Sequence, residues 1–344
     1  MTSKLKYLVA TSMVAASMMS ASSAFAAGTL VGTDINNTAS VAYQVGGVNQ
    51  TAATGANTFK VDRKVVFTVV EATPTGTTSV SPGQNAAVTT FLVSNTSNDT
   101  LDFSLAANQL AGGTAAHGGT DVFNMTGVTY FVDANNNGTY EAGTDTATLI
   151  DNLAPDTSVR VFIVANTPIG ATNGQVAGVT LTGTALNSTG TAITAATDAT
   201  ANTDLVETIF ADTGRDGIET GSDDYTVAAP VLTVTKLSRV VSDGVSASNP
   251  KAIPGAVVEY CITVSNSATG ATATNVSVGD NLSLVPNVTY DNTFTPKVDG
   301  TVVTGNTCTP GATNGSYTAP NVTGNLTNIA AGQTRTLVFR VTIN

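Results

Sequence analysis

The chain has no tryptophan, a single histidine, only two cysteines and few charges: Asp, Glu, Lys and Arg make up 11% of its 344 residues. Ordinary soluble domains carry about 25% charged residues. Each scarcity excludes something. Sugar sites usually use aromatic platforms, and tryptophan is missing. A Ser-His-Asp triad would have to use His117, and no Gly-x-Ser-x-Gly elbow supports one. Paired carboxylates of a hydrolase cannot be dismissed by pattern alone, but no Gly-x-Gly-x-x-Gly or Gly-Lys-Ser/Thr fingerprint of a cofactor occurs. Basic residues are also short, 13 against 24 acidic ones. Binding nucleic acid or anionic lipid headgroups needs clustered Lys or Arg, and the sequence has no basic patch. An enzyme is not expected.

No stretch after the N-terminus approaches the ~20 apolar residues of a membrane span. The N-terminus itself reads as a secretory leader over 1–26. Lys4 and Lys6 form the charged start, Tyr7 to Met19 the apolar to small-residue stretch, and Ala24-Phe25-Ala26 the small residues before cleavage. Its removal takes two of the 13 basic residues and leaves a net charge of −13. The chain is therefore expected to be exported, to the cell surface or the medium. Thr, Asn, Ser, Ala and Gly stand where charges would otherwise be.

What is present is a repeat. Pro82-Gly83 and the alternating run Val88 to Asn95 are echoed by Pro254-Gly255 and Val257 to Asn266. Downstream, Asn152-Leu153-Ala154-Pro155 before Val159 to Val164 is echoed by Asn328-Ile329-Ala330-Ala331 before Thr336 to Val341. Pro82 to Asn152 spans 70 positions and Pro254 to Asn328 spans 74. Val65 to Val70 and Val231 to Thr235 are β-branched runs ahead of each Pro-Gly and predict the first strand of each module. With no helical apolar periodicity, the pattern predicts an all-β chain of tandem immunoglobulin-like β-sandwiches. An N-terminal extended strand segment covers 27–62, a first module with an extension 63–227, and a second module 228–344. The extension carries another strand candidate, Gln175 to Gly183, whereas module two ends three residues past Val341.

Module two resembles the bacterial surface repeat called domain of unknown function 11. Val231-Leu232-Thr233-Val234-Thr235-Lys236, Ala252-Ile253-Pro254-Gly255, Asn266 and Ala273 to Asp280 carry the resemblance, over about 231–344. Thr-Val-Ser-Asn stands where the family usually has Thr-Val-Thr-Asn. The resemblance implies an immunoglobulin-like module of exported wall or envelope proteins, and it transfers no active site.

Cys261 and Cys308 both fall in module two, and in an exported chain one disulfide is the economical reading. Closing that loop should contribute roughly 3–4 kcal/mol in the chain-entropy model. The cation candidate runs from Asp133 to Asp145. Asp133, Asn135 and Asn137 sit at positions 1, 3 and 5, Gly138 at 6, and the Thr139 carbonyl at 7, as in an EF-hand-type calcium loop. Glu141 is a further oxygen donor. Thr144 replaces the bidentate Glu of position 12, and Asp145 is the substitute one residue later. A weaker version comprises Asp212, Asp216 and Asp223, with Arg215 inside it. The alternative for both is an Asx-rich turn held by its own hydrogen bonds. Any calcium bound would be structural, at roughly 10⁻⁴–10⁻³ M. His117, flanked by glycines, reads as an exposed loop residue, and Asp223-Asp224 as the end of the second turn.

Two functional readings follow. The first is a non-enzymatic subunit of a cell-surface filament or layer. In it, Thr38 to Val45, with Val41, Tyr43 and Val45 on one face, enters the open edge of the next subunit's early-ending module. The alternative for this strand is pairing within its own chain. The second functional reading is a monomeric adhesin or envelope scaffold that binds another surface component.

Overall fold

The computed structural model describes residues 28–195, 205–303 and 307–344, so the leader read at 1–26 lies outside the described residues. The fold is all-β: two immunoglobulin-like sandwiches in tandem, preceded by an extended N-terminal arm. The one helical element described is the 3₁₀ turn Leu282–Leu284. No described helix is long and apolar enough to cross a membrane.

The arm is a hairpin of β1 (Asp34–Val41) and β2 (Ala53–Lys60), paired antiparallel from Asp34↔Lys60 to Val41↔Ala53. Thr38 to Val45 is thus not one free strand. It breaks at Ala42-Tyr43, and Gln44–Val45 then pairs with Val48–Asn49 across Gly46-Gly47, both at positive φ. The pairing partner of Val41 is in its own chain. The arm is rooted on module one, where Asn98 donates through Nδ2 to the carbonyls of Thr29 and Asp62 and accepts from Val31 N through its own carbonyl.

Module one contains β3 (Phe67–Glu71), β4 (Thr78–Val80), β5 (Ala87–Asn95), β6 (Leu101–Gln109), β7 (Thr126–Val132), β8 (Leu149–Leu153), β9 (Thr157–Asn166), β10 (Val176–Leu186) and β11 (Ile218–Val227). One sheet runs β7-β9-β5-β3, the other β8-β6-β10-β11-β4, with β4 parallel to β11. The alternation of β5 is read out literally. Ala87, Thr89, Phe91, Val93 and Asn95 are buried, and the residues between them are not. They close on Phe67, Phe103, Leu181 and Tyr225 from the opposing strands.

Module two repeats the first sheet with β12 (Leu232–Ser242), β13 (Val257–Asn266) and, after β14 (Ser277–Asn281), β15 (Lys297–Val298), β16 (Thr313–Asn314), β17 (Ser316–Thr318), β18 (Asn321–Asn325) and β19 (Thr334–Ile343). The order is β12-β13-β19-β15-β16, so β12-β13-β19 stands where β3-β5-β9 does in module one. The second sheet has only β14-β18-β17. Cys261 on β13 and Cys308 form a disulfide with Cα atoms 6.1 Å apart, packed under Val338.

The repeated motifs have a common physical cause. Asn95 ends β5 and is buried; its Nδ2 donates to Leu153 O at 2.8 Å and Asp99 O at 2.9 Å. Asn266 ends β13 and is buried; its Nδ2 donates to Ile329 O at 3.0 Å and Ala271 O at 2.7 Å. Each ties the end of its strand to the loop containing Asn152-Leu153 or Asn328-Ile329 through a backbone carbonyl of that loop. The two Pro-Gly turns also match. Gly83 and Gly255 have φ of +74° and +87°, and their N–H groups bond Thr167 O and Ile343 O just at the end of β9 and β19.

The modules diverge after that point. Phe67 faces Asn95 across the ladder as Leu232 faces Asn266, so Phe67 and Val69 are equivalent to Leu232 and Val234. Phe67 and Val69 are 1% and 5% exposed, whereas Leu232 and Val234 are 43% and 63% exposed. In module one, β10 and β11 cover these positions, with Gly183 and Gly221 allowing close approach to Val69. Among the described residues, module two has no counterpart of β10 or β11, and β14 pairs with β18 on one side only.

Candidate functional site

The Asp133 loop begins where β7 ends. Asp133 is buried and accepts from Asn137 N at 3.2 Å and Gly138 N at 2.8 Å. Asn135 Oδ1 takes Asn137 N at 3.1 Å, and Asn137 Oδ1 takes Thr139 N at 2.8 Å. Asp145, also buried, closes the loop by accepting from Ala134 N at 3.0 Å and Glu141 N at 2.7 Å. Glu141 Oε2 accepts from the Asn135 and Asn137 amides at 2.7 and 3.1 Å. Tyr140 anchors the loop by stacking on Phe131 at 5.5 Å between ring centroids. The loop thus draws Asp133, Asn135, Asn137, Glu141 and Asp145 into one network of oxygen donors, each already engaged by the loop's own N–H groups.

The second turn is smaller than its sequence pattern. Asp212 Oδ2 accepts from Asp216 N at 3.3 Å and Gly217 N at 2.9 Å, and Asp216 Oδ1 from Ile218 N at 3.1 Å. Asp223 is not part of it. β11 starts at Ile218 and carries Asp223 along at about 3.3 Å per residue, so it sits well away, opposite Val179. Asp223-Asp224 belongs to the interior of a strand and not to a turn end.

Asp223 meets two residues that come from far off in the chain. Glu71 closes β3. His117 lies between β6 and β7 in a tight loop closed by the Thr114↔Thr120 bridge and by Ala115 N bonding Gly119 O. His117 N donates to Asp224 Oδ2 at 2.7 Å, which fixes the loop on β11. His117 Nε2 then lies 2.9 Å from Glu71 Oε2 and 3.3 Å from Asp223 Oδ1, with its side chain 26% exposed. His117 is an exposed loop residue, as its sequence context reads, but long-range contacts hold its imidazole between two carboxylates. Burial pushes the Asp223 carboxyl up to about 7, and the charge of Glu71 adds to that rise. The N–H of Asp224 and the charge of His117 oppose it. Glu71 and Asp223 line a cavity of about 170 Å³ together with Thr89, Thr90, Gly138 and Arg160.

Sequence reasoning missed this cluster because nothing local marks it. Its members lie in three separate segments, and the glycines around His117 serve a turn (Gly118 and Gly119 at positive φ) rather than a flexible tether. The paired Asp223-Asp224 inside an alternating strand was the available signal. The arm residues Val41, Tyr43 and Val45 are all exposed, as is Val48 at the turn.

No family model matches the chain, and no curated protein matches it. Among solved structures, it is similar to the collagen adhesin of S. aureus at 13% identity and a TM-score of 0.21, over 82% of this chain and 84% of that one. It is also similar to a chain of the chaperone–tip adhesion subunit pre-assembly complex from archaic chaperone-usher Csu pili of Acinetobacter baumannii. There the identity is 12% and the TM-score 0.22, over 81% of this chain and 94% of that one. At such scores neither likeness bears on what the chain does.

Proposed function

We propose that the chain is a non-enzymatic exported subunit of a cell-surface assembly, a filament or layer, joined head to tail by strand addition. The observation that carries this reading is the uncovered inner face of module two. Leu232 and Val234 project where module one has buried Phe67 and Val69, beside the unpaired edge of β14. An open edge and an exposed apolar strip together make a seat for β-strands.

The occupant in this reading is the arm of a second copy. Its ladder puts Ile35 with Phe59, Ala39 with Gly55, and Val41 with Ala53 on one face, which the pair Asn37 and Asn57 interrupts. The other face is polar, with Lys60 Nζ 2.6 Å from Asp34 Oδ1 and Thr58 bonded to Asn36. The arm therefore acts as a two-stranded insert in place of the single free strand the sequence suggested. Because arm and seat lie at opposite ends of the chain, the contact is head-to-tail, and a contact whose rotation does not close grows fibres. The resemblance to domain of unknown function 11 and the leader fit such a location. The Asp133 loop takes the part of a structural calcium clip in this subunit.

Deletion of residues 34–60 tests the reading. Sedimentation of the truncated chain should give folded monomer where the full chain gives polymer. Polymer formed without the arm would overturn strand addition. A full chain that stays monomeric at high concentration would favour the second reading, an adhesin or scaffold module with another surface component as its partner.

A further inference from the structure

We propose that Glu71, His117 and Asp223 form a divalent-metal site of zinc type, with its fourth position open to the adjoining cavity. The ligand atoms are Glu71 Oε2, His117 Nε2 and Asp223 Oδ1, all within 4.8 Å of one another. Zinc binds nitrogen and carboxylate oxygen at about 2.0–2.2 Å, so tetrahedral ligands stand about 3.3 Å apart. The observed separations from Nε2 are 2.9 and 3.3 Å. An imidazole with two carboxylates suits zinc or a neighbouring transition ion, whereas calcium takes oxygen alone. This site is therefore chemically distinct from the Asp133 loop.

Two further features point to a bound ion. The Oγ1 of Thr89, 2% exposed and on the wall of the same cavity, has no hydrogen-bond partner among the described residues. A water in that cavity would give it the hydrogen bond it lacks. The charge is also lopsided: Asp223 and Asp224 are buried beside Glu71, around a chain that offers only one imidazole. Arg160 is the cation lining the cavity, and Gly138 lies against its guanidinium. A dication offsets the remaining negative charge more fully than a protonated imidazole can.

The ligands are already oriented from outside. Gly76 N holds the second oxygen of Glu71 at 2.6 Å, Asp224 N holds Asp223 Oδ1 at 2.7 Å, and the Asp224 carboxylate holds the backbone of His117. Such outer contacts are what metal sites use to fix ligand geometry. Bound there, the ion would join β3 of one sheet to β11 of the other and pin the His117 loop over the end of the sandwich.

The test is a zinc titration of the untagged chain in excess calcium, followed by calorimetry and by the imidazole proton resonances. The chain has one histidine, so those resonances report on this site alone. The expected result is one zinc equivalent, a shift of the imidazole signals, and at least a 30-fold loss of affinity in His117→Gln and in Asp223→Asn. Should either variant fail to fold, the imidazole shift in the unmodified chain still decides. Imidazole signals unmoved at millimolar zinc would overturn the proposal, as would undiminished binding in folded His117→Gln.

Discussion

At the scale of single residues, two asparagines explain more of this molecule than any charged group. The Asn266 side chain makes three hydrogen bonds, to Ala271 O, to Ile329 O and from Val231 N at 3.0 Å. The last of these fixes the residue that precedes β12 relative to the end of β13. Truncation takes the partner from Ala271 O and from Val231 N, at about 1–3 kcal/mol for an unsatisfied group, while Ile329 O keeps the N–H of Ala273. Asn266→Ala should therefore lower the stability of module two by about 3 kcal/mol, read as a shift of its urea midpoint with unchanged slope. A loss below about 1 kcal/mol would mean that water replaces the side chain. The echo of Asn95 and Asn266 was legible in the sequence, but their bonds were not, because Leu153 and Ile329 lie some 60 positions away. The partners of His117 were not legible for the same reason: Glu71 and Asp223 lie far from it in the chain and meet it only in the packed sheets.

Among the elements, the sequence repeat and the sheet repeat coincide. The alternating runs at 88–95 and 257–266 became β5 and β13, and the runs at 159–164 and 336–341 became β9 and β19. Period-two alternation with β-branched residues is enough to place such central strands. It does not name their partners. β2, Ala53-Thr54-Gly55-Ala56-Asn57-Thr58-Phe59-Lys60, has almost no β-branched apolar residue, and pairing with β1 alone makes it a strand. The Asp133 loop was legible residue by residue, since short oxygen side chains at alternate positions around a glycine converge wherever the backbone turns. If it clips calcium, millimolar calcium should raise the thermal midpoint of module one, and Asp145→Asn should remove most of that rise. An identical midpoint with calcium and with chelator would leave the loop as a turn held by its own hydrogen bonds.

On the scale of the whole molecule, the two sandwiches share the core of their first sheet and differ in the coverage of the inner face of the first strand. Module one fills that seat with its own β10 and β11, and module two leaves it uncovered, while the exposed arm is rooted on module one. That asymmetry was partly visible in the additional strand candidate at Gln175 to Gly183 of module one. The exposure of Leu232 and Val234 was not, since their β-branched pattern is that of a buried strand. The most direct measurement is sedimentation and negative-stain imaging of Val234→Asp beside the unmodified chain at high concentration. Because Val234 is 63% exposed, the substitution should leave the unfolding transition unchanged, while a carboxylate in the seat abolishes polymer and leaves monomer. Polymers of unchanged length and abundance from Val234→Asp would contradict assembly through this face.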